Sequence, residues 1–144
     1  MDKIDGQILG LLKRDGRISL IDISKEIGLS SPTIKDRIDK LESNGVILGY
    51  QPVIDYKKLG LGLTAFIGLT LDFHSCCQGD VDEALKKMED VVEAHYTDGD
   101  WDMLIKVVLK NTEDLMTFLQ KLNTVKGITN SRTIISLATP IRKI

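Results

Sequence analysis

Two clusters of side chains carry whatever chemistry this 144-residue chain can do. The first runs Ser30-Ser31-Pro32-Thr33 and continues through Lys35, Asp36, Arg37 and Lys40. Hydroxyls followed by cations on one helical face can meet phosphate oxygens and base edges. Arg37 has the planar fork for a two-bond contact to guanine, whereas Lys35 and Lys40 suit phosphates. The competing role for Arg37 is an ion pair with Asp5 or Glu42 that braces a helical bundle. Asp36 and Asp39 on the same stretch would repel phosphate, which points to weak or selective binding. The second cluster is the acidic turn Asp98-Gly99-Asp100-Trp101-Asp102, with Thr97 before it and Ser131 and Thr133 far downstream. It offers a backbone N–H at Gly99, carboxylates, hydroxyls and one flat aromatic wall. A solvated hairpin would use the same turn residues.

Other combinations fall short of a site. His74-Ser75-Cys76-Cys77 places three ligand types in one loop with no distant second half, which is a poor zinc signature. Adjacent cysteines bridge only under strain, so Cys76 and Cys77 read as reduced thiols in a plain loop. His74 and His95 are the only histidines, and neither has a triad context. No Gly-rich phosphate loop or HExxH segment occurs. The expectation is therefore a protein with no catalytic residues, no metal and no cofactor.

The elements that position these clusters follow from periodicity. Ile4, Ile8, Leu11 and Leu12 recur at helical spacing from Lys3 to Arg14, and Asp15-Gly16 stops that helix, with Gly16 expected in a left-handed turn. Ser19 caps a second helix over Leu20–Ile27, with Asp22 as a weak capping-box partner, and Gly28 ends it. Ser30 or Ser31 caps a third, with Pro32 in its first turn and Ile34, Ile38 and Leu41 inward, which runs to about Ser43. Two short helices joined by a tight turn, the second opening on hydroxyl residues, form a helix-turn-helix pattern. Val46 to Ile54 reads as a strand-like connector. Beyond Gly62 the order becomes strand (Leu63–Phe73), helix (Asp80–Met88), strand (Val91–Thr97), strand (Trp101–Leu109), helix capped by Thr112, and strand (from Gly127 to about Ala138). That βαββαβ order predicts an α+β protein whose second half is a ferredoxin-like sandwich, with both helices on one face of an antiparallel sheet. The other face should need covering, and a second copy of the chain is the expected cover. The domains are thus residues 1–50, a connector over 51–62, and residues 63–144.

Composition bounds the reading. With 42% hydrophobic and 28% charged residues the chain is of ordinary globular type. The opening segment has acids among its first apolar positions, no apolar run approaches the ~20 residues a bilayer requires, and a cytoplasmic location is expected. The net charge of −2 lacks the basicity usual for nucleic-acid binding. Residues 1–50 are themselves balanced, with eight Lys/Arg against eight Asp/Glu. A DNA-binding role must then rest on a few well-placed cations, repeated in a multimer. The same balance argues against a DNA-compacting architectural protein, whose sequence-blind affinity depends on cation count.

Taken together, Ile4-Asp5, Ile8-Leu9, Asp15-Gly16-Arg17-Ile18-Ser19, Ile27-Gly28-Leu29-Ser30, Arg37-Ile38, Leu41-Glu42, Gly45-Val46-Ile47, Gly49-Tyr50 and Leu59-Gly60 resemble the Lrp/AsnC regulators. Gly99-Asp100-Trp101-Asp102 looks like that family's Gly-Asp-Tyr-Asp turn, with Trp101 in place of tyrosine. The resemblance spans essentially the whole chain. It implies a transcriptional regulator that binds double-stranded DNA through the first cluster. It also implies a second, RAM-type domain that senses an amino acid near the acidic turn and assembles dimers into tetramers or octamers. For such an effector, the Gly99 amide and the hydroxyls of Ser131 and Thr133 would receive the carboxylate, Asp100 and Asp102 the ammonium, and Thr97 ends the neighbouring strand. Trp101 keeps the flat wall but lacks the tyrosine hydroxyl, so the ligand's identity stays open, as does activation versus repression.

Overall fold

A computed structural model describes residues 1–72 and 78–141. The chain divides into two compact units, the first ending at Ile54 and the second beginning at Asp55. Each has its own hydrophobic core.

In the first unit, α1 (Lys3–Arg14) begins with a reciprocal capping box. The Asp2 carboxylate accepts the Asp5 N–H at 2.9 Å, and the Asp5 carboxylate accepts the Asp2 N–H at 2.8 Å. Two of the four orphan amides at the helix start are thereby satisfied. At the other end, Gly16 does not take the left-handed turn expected of it. Asp15 ends α1 in extended backbone, and its carboxylate accepts the Arg17 N–H at 2.8 Å. Ser19 caps α2 (Leu20–Ile27), and Gly28 closes it in the left-handed region at φ 79°, where a Cβ would be strained. Asp22 takes the Ser19 hydroxyl, not its backbone amide, so the box is only half formed. Ser30 caps α3 (Ser31–Ser43), with Pro32 in its first turn. Ile8, Leu11, Ile23, Ile34, Ile38 and Leu41 form the buried centre of the three helices.

No strand lies between α3 and the second unit, although a strand-like connector was expected. Leu48 is 94% exposed there, and the Tyr50 hydroxyl donates to Glu42 at 2.9 Å.

The second unit holds β1 (Leu63–Leu71), α4 (Gln78–Lys86), β2 (Val91–Tyr96), β3 (Met103–Leu109), α5 (Thr112–Leu122) and β4 (Ile128–Ser136). Its sheet runs β2-β3-β1-β4, antiparallel throughout. The ferredoxin-like βαββαβ arrangement read from the sequence is the one observed. Ala65, Ile67 and Leu69 of β1 and Met103, Ile105 and Val107 of β3 face the helix side, where Val81, Leu85, Leu115, Phe118 and Leu122 close the core. The intervening residues point the other way. By register that open face carries Phe66 beside Lys106 and Ile134, and Gly68 beside Leu104 and Arg132.

Boundaries differ in particular ways. β3 begins at Met103 and not Trp101, because the preceding residues are occupied in the turn. Asn111, not Thr112, caps α5, its side chain accepting the Asp114 N–H at 2.9 Å. His74, Cys76 and Cys77, expected in a plain loop, and the expected end of β1 at Phe73 lie outside the described residues.

Candidate functional site

On α3, burying Ile34, Ile38 and Leu41 turns Pro32, Lys35, Asp36, Asp39 and Lys40 toward solvent. The Ser30 and Thr33 hydroxyls lie 2.7 Å apart at the N-terminus of the helix, and Ser30 Oγ accepts the Thr33 N–H. Hydroxyls and amides at a helix start form a favourable environment for a phosphate oxygen. Ser31 is half-buried at the same end.

The cations divide into two kinds. Lys35 is held by Asp39 one turn along, which raises its pKa above the ordinary lysine value. Arg37 turns back across the bundle, its Nη1 2.7 Å from both Asp2 and Asp5. The brace that was one of the roles open to Arg37 is present: it ties α3 to the capping box of α1. Its side chain is only 27% exposed. Asp2 and Asp5 are held below the ordinary carboxylate range, first by the amide each accepts in the box and then by the Arg37 guanidinium. Lys40, exposed, has no ion pair among the described residues. A face on which two cations, Lys35 and Lys40, are balanced by two acids, Asp36 and Asp39, offers little indiscriminate pull on phosphate.

In the second unit the acidic turn is pinned to the sheet at two points. The Asp102 carboxylate accepts the Leu71 N–H at 2.8 Å, while the Asp102 N–H donates to Leu69 O at 2.9 Å. Asp102 is thus committed to holding β3 against β1, and of the acids proposed for an ammonium only Asp100 stands fully exposed. The Thr97 hydroxyl donates to Trp101 O, and the Thr97 N–H to Asp102 O, which closes the turn on itself. Trp101 lies flat on the open face: a Cβ added at Gly68 would stand 2.2 Å from its ring. Only glycine in the middle of β1 leaves room for that indole. The sequence signal was an isolated glycine inside an apolar strand, which marks close approach, and its partner was not identifiable from sequence.

Ser131 and Thr133 pair with Leu69 and Ile67, so they lie on the helix side of the sheet. Trp101 is on the opposite side. Within one chain, the structure therefore brings Thr97, Gly99, Asp100, Trp101 and Asp102 together but separates them from Ser131 and Thr133 by the thickness of the sheet.

Comparison with known proteins bears on both halves. Residues 64–143 match the Lrp/AsnC ligand binding domain, and residues 1–47 match a winged helix-turn-helix DNA-binding domain. The chain belongs to the Lrp/AsnC family. The HTH-type transcriptional regulator FL11 of Pyrococcus abyssi is 35% identical over 96% of this chain and 91% of its own. Regulatory protein AsnC of Haemophilus influenzae is 33% identical over 98% of this chain and 94% of its own. Among solved structures, AsnC of E. coli has a TM-score of 0.85 at 30% identity, covering 100% of this chain and 97% of that one. A Neisseria meningitidis transcriptional regulator solved with L-Met shares the fold at TM-score 0.93 and 22% identity, over 99% of this chain and 94% of that one. This Lrp/AsnC protein is a DNA-binding transcriptional regulator with a ligand-binding domain, and its family is one of regulators, not enzymes. Among the described residues no helix is long and apolar enough to cross a membrane.

Proposed function

We propose that residues 1–50 bind a specific DNA site through α3, that residues 51–62 connect, and that residues 63–144 sense a free amino acid. On the DNA side, Ser30, Ser31, Pro32, Thr33, Lys35, Asp36 and Lys40 form the contact surface. Arg37 serves it from behind by fixing the angle between α3 and α1. Base edges are read by the first turn of the helix, and Lys40 contacts a phosphate.

On the sensor side the observation that carries the reading is the pinned turn. With Trp101 seated on Gly68 and Asp102 locked to Leu71, Gly99 and Asp100 are presented on a rigid base. Preorganised donors and acceptors lose little on binding a small zwitterion. Because Ser131 and Thr133 lie across the sheet from Trp101, an effector that touches both sets takes its turn from one copy and its β4 hydroxyls from another. The site is complete only in a multimer, and ligand and assembly are linked for that reason. The open face with Phe66, Leu104 and Ile134 provides the apolar area for the primary dimer, and contacts between dimers build a tetramer or octamer.

The test is a thermal-shift panel of the twenty amino acids, repeated with DNA from the protein's own upstream region. A ligand at ~100-fold its dissociation constant adds ~2.7 kcal/mol. One selective amino acid, whose shift disappears in Trp101→Ala, is the expected result. A flat panel beside a clear DNA shift would leave a regulator that ignores these ligands.

A further inference from the structure

Away from the turn, the seam between α4 and β2 does not close. Two helices cover four strands, and β2 has no fully buried residue, in contrast to β1 and β3. Ala94 and Tyr96 pair with Ile105 and Met103, so their side chains face the helix layer. The methyl of Ala94 is too small to fill the gap. What remains is a hollow of about 340 Å³, at the small end of the ~300–1,000 Å³ range of small-molecule sites. Its floor is aliphatic and thioether: Leu85, Val91, Ala94 and Met103. Leu85 and Met103 belong to the same core that holds the domain together.

The rim is polar in a specific way. Asp82 and Lys86 lie one turn apart on the same side of α4, and both border the hollow. Asp82 Oδ1 accepts the Tyr96 hydroxyl at 2.8 Å, which fixes the carboxylate at the mouth. A carboxylate has further lone pairs for an ammonium. Among the described residues Lys86 pairs with Glu83, through side chains 70% and 63% exposed; such a solvent-facing pair exchanges readily for a better anion. Glu93, also on the rim, is engaged by Lys106 at 2.6 Å.

We infer that the α4–β2 hollow is a second small-molecule site, which takes an α-amino acid with a branched aliphatic side chain. The hydrocarbon part rests on Leu85, Val91, Ala94 and Met103, the ammonium meets Asp82, and the carboxylate meets Lys86. This site shares no residue with the acidic turn and does not depend on the effector reading of that turn. Since β2 runs directly from the hollow into Thr97, occupancy here bears on the strand that carries the turn.

The experiment is a methyl-resolved NMR titration of the full chain with L-isoleucine, its keto acid 3-methyl-2-oxopentanoate, and 2-methylbutylamine. L-isoleucine should shift the methyls of Leu85, Val91, Ala94 and Met103. The keto acid, with no ammonium for Asp82, should bind about tenfold more weakly or worse, and the amine should retain part of the affinity. Asp82→Asn, which keeps an acceptor for Tyr96, should lose about tenfold for L-isoleucine. Ala94→Phe should abolish shifts at Leu85 and Met103 while the rest of the spectrum stays native. Shifts confined to Leu104 and Ile134, on the open face that carries Trp101, would overturn this proposal and leave the turn site standing. No shift at either place would overturn it too, as would equal binding of the keto acid.

Discussion

At the scale of single residues, Arg37 shows how one side chain is assigned by its partners. Type and position made it a candidate for guanine, and two carboxylates at 2.7 Å hold its half-buried guanidinium back against α1. Replacing Arg37 by Ala should lower the melting temperature of the helix-turn-helix unit and weaken binding to specific and random DNA in parallel. Arg37→Lys should restore part of both. A base-reading arginine would lose specific affinity alone, so competition binding against both DNAs separates the two roles. Gly68 is the counterpart in the sensor. Gly68→Ala sets a methyl against the Trp101 ring and should cost about 1–3 kcal/mol in stability, as overpacking does. The displaced indole should show a red-shifted fluorescence maximum, and an unchanged spectrum would mean that the ring does not need the glycine.

Elements behave as their ends and faces dictate. The start of α1 combines the Asp2–Asp5 capping box with the Arg37 brace, and both carboxyl pKa values are lowered from the ordinary 3.8. A carboxyl depressed in the folded state stabilises above its unfolded pKa, and that stability is lost as pH falls through the folded value. The first unit should thus hold constant through neutral pH and lose stability below about 3.8. Thermal melts against pH should show this acid loss shrink in Arg37→Gln, since one of the two causes is then gone. On the outer face of α3, Lys40→Ala should reduce the slope of log affinity against log salt by about one, with sequence preference retained. A larger change would place Lys40 among the base contacts. The helices themselves were legible because caps and core stripes are local: Ser19 and Gly28 stand where expected, and of the two serines open for α3 it is Ser30 that caps. The Asp2–Asp5 box was also visible in principle as acids three apart before an apolar run. Gly16 was misread because the carboxylate of Asp15 satisfied the next amide without a left-handed residue.

For the whole molecule, the open face of the sheet and the split between Trp101 and Ser131/Thr133 are the two features on which the proposed multimer rests. Ile134, 49% exposed beside Phe66, is the residue through which this can be tested. Ile134→Glu places a charge in that apolar contact and should shift the protein toward monomer in analytical ultracentrifugation. Amino-acid response should fall with assembly, while the monomer keeps its far-UV circular dichroism. Retention by a monomer of a response at the turn, read from Trp101 fluorescence so that the separate α4–β2 hollow does not contribute, would show that one chain holds the complete turn site.

The sequence by itself determined the order of elements, the division into a helical and a sheet half, the core stripes and the family. These follow from hydrophobic period and from caps, which act over three or four residues. The tertiary structure alone decided which side chains meet across long separations: Arg37 with Asp2 and Asp5, Asp102 with the backbone of Leu71, Trp101 with Gly68. It also put Ser131 and Thr133 on the face away from Trp101. Alternation along β4 tells that two residues share a face but not which face, since that depends on strand register, and register is set by packing the whole sheet against its helices.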